Sequence, residues 1–228
     1  MSMLALAGCN GRAGPPASAP GALPGNWIEA RAIKPPQQDV RIGSLYYARE
    51  KPTADFGSPV AIEPLCFTTL DLHGVQQLEP VGVTSFDVTD GFSGSGGLSG
   101  IKTMLVSAGL KGDLTTYYDL KLANVTKTGI THGDAQTVFD RLRRREDCQR
   151  WFGNVDPLFA VYQVESIYTG DIVLSRKHEW GAGGELALTL EALQPKLEAK
   201  LRNETRDSVT GKTMVFAIVP LPRNLRTQ

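Results

Sequence analysis

The sequence predicts an α+β fold, mainly an antiparallel sheet with two or three helices. Several short segments alternate apolar and polar residues, which is typical of strands with one buried face. Few segments place apolar residues at helical spacing, so predicted strands outnumber predicted helices. The 24 Gly and 14 Pro among 228 residues favour short elements joined by many turns. With 41% hydrophobic residues the chain can bury a core, and we expect one globular domain over residues 26–228.

Six segments are predicted to contribute strands or buried apolar runs, because they alternate or are rich in β-branched and aromatic residues. They cover residues 39–48, 60–68, 81–88, 117–125, 158–174 and 213–219. A short element is also expected around residues 70–75, interrupted by Gly74. Gly170-Asp171 is expected to bend or bulge the fifth segment.

Two helices are predicted from apolar residues that recur every three or four positions. The first covers residues 101–108, and the second covers Ala135–Arg145 with Asp134 as its N-cap.

A third segment, residues 186–201, is open to two interpretations. Its leucines fit a helix, but Leu186, Leu188 and Leu190 also fit the period of a strand. Pro195 would break a continuous helix, so a strand ending near Leu190 and a helix from Pro195 is the alternative.

The predicted elements follow one another in an order that fits a loose internal duplication. Residues 91–125 run from a glycine-rich turn through a helix-like segment and a polar loop to a strand. Residues 180–219 repeat that order with little identity, so coincidence explains it equally well.

The balance of charge excludes one large class of partners. The chain has 24 Lys and Arg against 24 Asp and Glu, a formal net charge of zero. Nucleic-acid binding depends on an excess of basic residues, so we expect no nucleic-acid partner. No stretch approaches the roughly 20 apolar residues that a membrane-spanning helix needs.

The N-terminus carries the most specific motif. Leu6-Ala7-Gly8-Cys9 resembles the lipobox of bacterial lipoproteins, in which an aliphatic residue and two small residues precede a cysteine. The resemblance implies cleavage before Cys9 and acylation of that residue, for example with palmitate. Each buried methylene contributes about 0.8 kcal/mol, so several acyl chains hold a protein on a membrane.

The residues around Cys9 fit this interpretation with one departure. Residues 10–25 are small, nearly uncharged and rich in Pro and Gly, so residues 9–25 are predicted to be a lipidated tether. A signal peptide begins with a basic residue and has about 7–15 apolar residues, whereas eight residues without Lys or Arg precede Cys9. We therefore expect residues 1–8 to be the remnant of a longer signal peptide.

The resemblance also implies a location in the bacterial cell envelope, anchored to a membrane and facing the periplasm. Asn10 occupies the position after the acylated cysteine. An Asp at that position favours the inner membrane in enterobacteria, so Asn10 favours the outer membrane over the inner one.

Cys66 and Cys148 remain once Cys9 is assigned to lipid. An exported chain meets oxidising conditions, and these two cysteines are predicted to form a disulfide. The alternative is two unpaired buried cysteines.

The sequence departs from every template for catalysis or cofactor binding that we tested. Gly100-Ile101-Lys102-Thr103 has a residue inserted where a P-loop needs Gly-Lys, and Gly211-Lys212-Thr213 lacks the first glycine of that motif. Gly91-Phe92-Ser93-Gly94-Ser95 differs from a nucleophile elbow in its last residue. We therefore assign no catalytic residue, cofactor or cofactor site.

Histidine and aspartate residues are scattered. His73, His132 and His178 are far apart in sequence and none has the spacing of a zinc site, so no metal site is assigned. A site assembled in space stays open for the four aspartates together with His73 or His132; the aspartates are Asp87, Asp90, Asp113 and Asp119.

The densest basic run is residues 141–145, which contains four arginines. It could face anionic lipid headgroups or another polyanion. Glu146 and Asp147 follow it directly, and partial neutralisation on a solvated helix face is the favoured interpretation.

Three functions are compatible with these observations. The favoured one is a lipid-anchored envelope protein with a non-enzymatic binding or structural role and a protein partner. The second is a lipid-anchored hydrolase whose site is assembled from distant loops. The third is a self-assembling membrane-associated protein in which amphipathic strands near residues 81–125 and 158–180 pair between subunits.

Overall fold

The structure is a computed structural model, and it describes residues 30–51, 58–84, 86–92, 99–156, 159–180, 184–207 and 212–225. It confirms the predicted α+β class, because an antiparallel sheet of eight strands packs against helices. Residues 1–8, Cys9, the segment predicted to be a tether and most of the glycine-rich stretch lie outside the described residues.

Within the described ranges, ten strands and six helices follow in chain order. The strands are β1 Arg31–Gln37, β2 Leu45–Ala48, β3 Glu63–Cys66, β4 Val81–Val83, β5 Phe86–Asp87, β6 Tyr118–Gly129, β7 Ala160–Arg176, β8 Arg206–Asp207, β9 Lys212–Thr213 and β10 Val215–Pro222. The helices are α1 Thr89–Phe92, α2 Ser99–Ser107, α3 Leu114–Tyr117, α4 His132–Leu142, α5 Glu146–Phe152 and α6 Glu185–Thr205. Short 3-10 helices occupy Leu70–His73 and His178–Trp180.

The 17-residue strand β7 is the centre of the sheet. Its first part pairs with β2 on one side and with β10 on the other. Strand β2 pairs in turn with β3, and β10 pairs with β1. Its second part pairs with β6, which in turn pairs with β4 and β5. Strands β8 and β9 form a separate two-stranded sheet.

The second part of β7 and strand β6 form a two-stranded ribbon, here called the β6–β7 ribbon. Alternation decides its two faces, because successive side chains of a strand point to opposite sides. On one face its residues are buried under helices, and on the other face residues such as Lys121 and Val173 are exposed. The buried set includes Tyr118, Leu120, Leu122, Tyr168, Ile172 and Leu174. The ribbon is thus amphipathic, as the sequence predicts.

The structure decides between the two interpretations of residues 186–201. Helix α6 is continuous with Pro195 inside it, so the strand alternative is wrong. Leu188 is 69% exposed, whereas Leu190, Leu193, Leu197 and Leu201 are buried. A helical stripe packed on the ribbon therefore outweighs both the local alternation and the cost of the proline.

The start of α4 differs from the prediction. Thr131, not Asp134, is the N-cap, because the Thr131 hydroxyl accepts a 3.1 Å hydrogen bond from the Asp134 main-chain N–H. The Asp134 carboxylate accepts in return from that hydroxyl at 2.7 Å. Asp134 is therefore the third helical residue of a reciprocal cap. The helix ends at Leu142, and Cys148 belongs to the separate helix α5.

The predicted strands have different bounds in the structure, and the segment predicted at 60–68 contributes only the four residues of β3. Residues 39–44 form a turn before β2, in which the Arg41 N–H donates to the Tyr46 hydroxyl at 2.7 Å and Gly43 has φ +82°. The segment predicted at 81–88 divides into β4 and β5, and β10 extends beyond the predicted end at residue 219.

An irregularity is present where the sequence predicts one, near Gly170. The extra residue belongs to β6, however, because Ala123 pairs with Asp171 while Thr126 pairs with Thr169. Asn124 has φ 50°, and its side-chain amide donates to the Asp171 carboxylate at 3.0 Å. Strand β7 itself continues to Arg176.

Strand β1 and helices α1, α3 and α5 are not predicted by the sequence. Strand β1 contains two prolines, and proline is unfavourable inside a sheet because it has no main-chain N–H to donate. They are tolerated because β1 lies at the outside of the sheet, paired with β10 on one side and joined on the other only by a bridge from Ile33 to Val60 in the described residues. Across the described ranges no helix combines the length and apolar character needed to span a bilayer.

Candidate functional site

Cys66 and Cys148, the pair chosen from the sequence, are joined by a disulfide in the structure. Their Cα atoms are 5.4 Å apart, and both residues are buried. The bond connects β3 to α5, and the Arg145 guanidinium beside it donates to the Phe67 carbonyl oxygen at 2.8 Å. Cys9 lies outside the described residues.

The three histidines occupy separate environments. His73 is buried at the end of a 3-10 helix, with Nε2 2.6 Å from the Thr68 hydroxyl oxygen. Its Nδ1 has no hydrogen-bond partner in the described part of the chain. His132 is exposed at the start of α4, 3.3 Å from the Glu165 carboxylate, and His178 belongs to the other 3-10 helix.

Burial lowers the pKa of His73, and the charges of Arg141 and Arg145 lower it further. Its imidazole is thus held in the neutral form. A buried neutral ring bonded to a threonine is a structural group at neutral pH.

Of the four aspartates proposed for an assembled site, Asp87 and Asp119 have local contacts, and the side chain of Asp90 lies outside the described part of the structure. The Asp87 carboxylate accepts a 2.7 Å hydrogen bond from the Thr89 N–H at the start of α1. Asp119 lies 4.0 Å from the Lys177 ammonium on the ribbon, and Asp113 precedes α3. Among the described residues, no three His, Cys, Asp or Glu side chains are grouped so that they could hold a metal ion.

The basic run 141–145 is engaged with the protein itself. The Arg141 guanidinium donates to the His73 carbonyl oxygen at 2.7 Å, and Arg143 lies over the Phe139 ring. Arg145 makes two 2.7 Å hydrogen bonds with the Asp147 carboxylate, and these lower the pKa of Asp147. The predicted neutralisation is therefore seen at Arg145.

A cavity of about 420 Å³ lies between α5 and the end of β10. Much of its lining is apolar, including Phe152, Val155, Phe159 and Leu225. The Arg223 guanidinium in its wall donates to Gln163 Oε1 and Gln136 Oε1 at 2.6–2.9 Å and lies 4.6 Å from the centre of the Phe139 ring. Burial lowers the pKa of Arg223. Its guanidinium is already hydrogen-bonded to the side chains of Gln163 and Gln136.

The outer edge of strand β4, which lies beside the β6–β7 ribbon, is open. Strand β4 pairs with β6 through Val81, Gly82 and Val83, and in the described part of the chain no strand pairs with its outer side. Strand β5 lies further along the same side of β6. Two apolar residues on this border are exposed, Val81 by 59% and Leu78 by 48%.

On the opposite edge of the ribbon, α6 covers the main chain of Leu174. The Leu174 carbonyl oxygen accepts a 2.9 Å hydrogen bond from the Gln194 side-chain amide. The Leu174 main-chain N–H donates to the Glu198 carboxylate at 3.3 Å, and Gln194 also donates to that carboxylate at 3.2 Å. Two side chains one helical turn apart thus occupy the hydrogen-bonding positions of a neighbouring strand.

Further contacts hold the first half of α6 against the ribbon. The Tyr118 hydroxyl donates to the Leu190 carbonyl oxygen at 2.7 Å, and burial raises the pKa of Tyr118 to about 12. The Arg176 guanidinium donates to the Ala187 carbonyl oxygen at 3.2 Å and lies 3.6 Å from the Glu191 carboxylate.

Gln194 and Glu198 are candidate functional residues that no motif in the sequence identifies. The available signal is their position, because both lie beside the buried leucine stripe of α6 and are themselves only partly exposed. Polar residues next to such a stripe, spaced by four, indicate a polar surface that the helix covers.

Comparisons with known proteins give little further information. No protein-family model matches the chain, and no curated protein matches it. A solved structure described as a bacterial gasdermin from Bradyrhizobium tropiciagri is similar to this chain with a TM-score of 0.39 and 13% identity. The similarity covers 85% of this chain and 81% of that chain. A TM-score of this size carries no functional argument, so the function is inferred from this chain's own residues.

Proposed function

We propose that this protein is a membrane-associated protein of the bacterial cell envelope that assembles with further copies of itself. In this proposal, acylated Cys9 and the tether hold the domain at the membrane, facing the periplasm and on the outer membrane more than the inner one. The role is structural rather than enzymatic, and the protein partner is a second copy of the chain.

The observation that carries the proposal is the open edge at β4. An open edge presents main-chain N–H and C=O groups that can pair with another strand. Soluble proteins protect such edges with very short strands, prolines, charged residues, bulges or a covering segment. Strand β4 is only three residues long and follows Pro80, but its sequence Val-Gly-Val carries no charge, and Val81 and Leu78 are exposed. These features favour pairing with a second chain.

Attachment to a membrane would make such pairing effective. Two anchored domains share a surface, so the effective concentration of one edge at the other is far higher than in free solution. A three-residue edge strand, which would associate only weakly in free solution, can then be sufficient for assembly on the membrane.

The anchor is tested by mass spectrometry of the protein produced in bacteria behind a complete signal peptide. The expected result is a membrane fraction whose mature N-terminus is acylated Cys9, and a Cys9→Ser variant that leaves this fraction. An unmodified N-terminus in the soluble fraction would contradict the anchor without affecting the edge.

Assembly is tested by sedimentation velocity in detergent over a range of protein concentrations. We expect oligomers to grow with concentration and Val81→Lys to lower the association constant by about tenfold or more, which is about 1.4 kcal/mol. The matched control is Val106→Lys, because Val106 is a similarly exposed valine, 63% accessible, that belongs to α2 and not to β4. A monomer at every concentration, or equal effects of both variants, would contradict the proposal.

A further inference from the structure

We infer that α6 is a releasable latch on β7, and that its release frees a second strand edge and thereby regulates assembly. This inference rests on the proposed function, since it names the regulation of the same ribbon. The covered edge and the open edge at β4 lie on opposite sides of the β6–β7 ribbon.

Helix α6 takes the place of a neighbouring strand at Leu174 of β7. Strand β10 pairs with β7 at residues 162–168, and β6 occupies the other side of β7 from residue 166 to residue 176. Beyond Tyr168 the side of β7 that β10 leaves is contacted by α6, through Gln194 and Glu198 on the main chain of Leu174. Without α6, this N–H and C=O would form a strand edge.

Exchange of α6 for an incoming strand would conserve the hydrogen bonds of the Leu174 main chain. The Gln194 amide supplies a donor and the Glu198 carboxylate an acceptor, which are the two groups that the main chain of an incoming strand also supplies. An incoming strand can therefore replace both side chains without leaving the Leu174 main chain unpaired. A cover made only of apolar side chains would leave those groups unpaired instead.

The helix has a weak point at the latch. Pro195 follows Gln194 directly and lies in the same turn as Glu198. Proline lacks the N–H that would bond to the Glu191 carbonyl oxygen, and its ring disfavours a straight helix. The turn that carries the two covering side chains is thus the one most easily opened.

Two substitutions are expected to open the latch. Gln194→Ala removes the donor to the Leu174 carbonyl oxygen, and Glu198→Ala removes the acceptor for the Leu174 N–H. In Glu198→Ala we expect the Leu174 amide to exchange with deuterium about tenfold faster, as measured by NMR. Glu198→Gln keeps an acceptor oxygen and is expected to restore slow exchange.

The same variants are then compared for assembly by sedimentation velocity in detergent. We expect Gln194→Ala and Glu198→Ala to assemble at lower concentration than the unaltered chain, and Pro195→Ala, which strengthens the helix, to require a higher one. Lys196→Ala is the matched control, because Lys196 is exposed on the same helix and makes neither contact.

The outcomes separate the two proposals. Faster exchange at Leu174 with unchanged assembly, while the unaltered chain still assembles, would overturn the latch and leave the proposed function standing. A chain that stays monomeric in every variant would overturn the proposed function and the latch with it. Near-ultraviolet circular dichroism checks that each variant is folded.

Discussion

The side-chain amide of Gln194 donates a hydrogen bond to the main-chain carbonyl oxygen of Leu174 at 2.9 Å, a bond that an adjacent strand would otherwise make. Because Glu198 accepts from the N–H of the same residue, a helix completes the hydrogen bonding of a strand edge. Covering an edge with another element is a recognised protection against unwanted pairing. Here the cover is polar, so it can be exchanged for a strand.

The buried ion pair between Arg31 and Glu50 is expected to contribute strongly to stability. The Arg31 side chain is fully buried, and its guanidinium bonds to the Glu50 carboxylate at 2.9 Å and to the Tyr162 hydroxyl oxygen at 3.3 Å. Glu50→Ala would leave this cation without its carboxylate and should lower the free energy of unfolding by about 3 kcal/mol. Urea denaturation measures the change.

Glu63→Ala is the control for this prediction. Glu63 pairs with Arg49 at 3.2 Å, but both side chains are largely exposed, so the loss should stay below about 1 kcal/mol. An equal decrease in the free energy of unfolding in the two variants would show that burial of Arg31 does not strengthen its ion pair with Glu50.

Acid is expected to destabilise the fold through His73. The pKa of His73 is lowered in the folded state, so the unfolded chain binds the proton first as the pH falls below about 6.5. The free energy of unfolding should therefore fall from pH 7 downward, until the pH reaches the lowered pKa. In His73→Gln this part of the pH dependence should be absent, as measured by urea denaturation between pH 5 and 7.5. An unchanged slope would rule out His73 as its source.

Gly170 is expected to tolerate no side chain. A Cβ atom there would lie 2.8 Å from the Ala123 carbonyl oxygen and 2.9 Å from Leu122 on the neighbouring strand. Gly170→Ala should lower the free energy of unfolding by about 1–3 kcal/mol, since main chain of the ribbon must move. Gly82→Ala on β4 is the comparison, because nothing lies within 4 Å of its Cβ position. Thermal denaturation of the two variants tests this, and a Gly170→Ala melting temperature equal to that of Gly82→Ala would count against the packing described.

The disulfide between Cys66 and Cys148 is expected to stabilise the fold by restricting the unfolded chain. Its sequence separation is 82 residues, for which loop entropy gives about 4 kcal/mol. Reduction, or the double substitution of both residues by Ala, should lower the melting temperature. The denatured, unreduced protein should show no titratable thiol from this pair. Two free thiols would refute the bond.

The sequence alone determined the α+β class and the amphipathic character of the β6–β7 ribbon. These follow from periodicity, which is a local property of the chain. The pairing of Cys66 with Cys148 was also reached from the sequence, by elimination after Cys9 was assigned to lipid.

Tertiary contacts decided what local pattern left open. Pro195 stays inside a helix because the leucines around it are buried against the ribbon, and this packing exceeds the local cost. Strand β1 exists despite its prolines because β10 offers it an edge. Gln194 and Glu198 lie at least 20 residues from Leu174, and only the packing of α6 beside β7 brings them to its main chain. A contact that depends on the relative placement of two distant elements has no signature in the residues of either one.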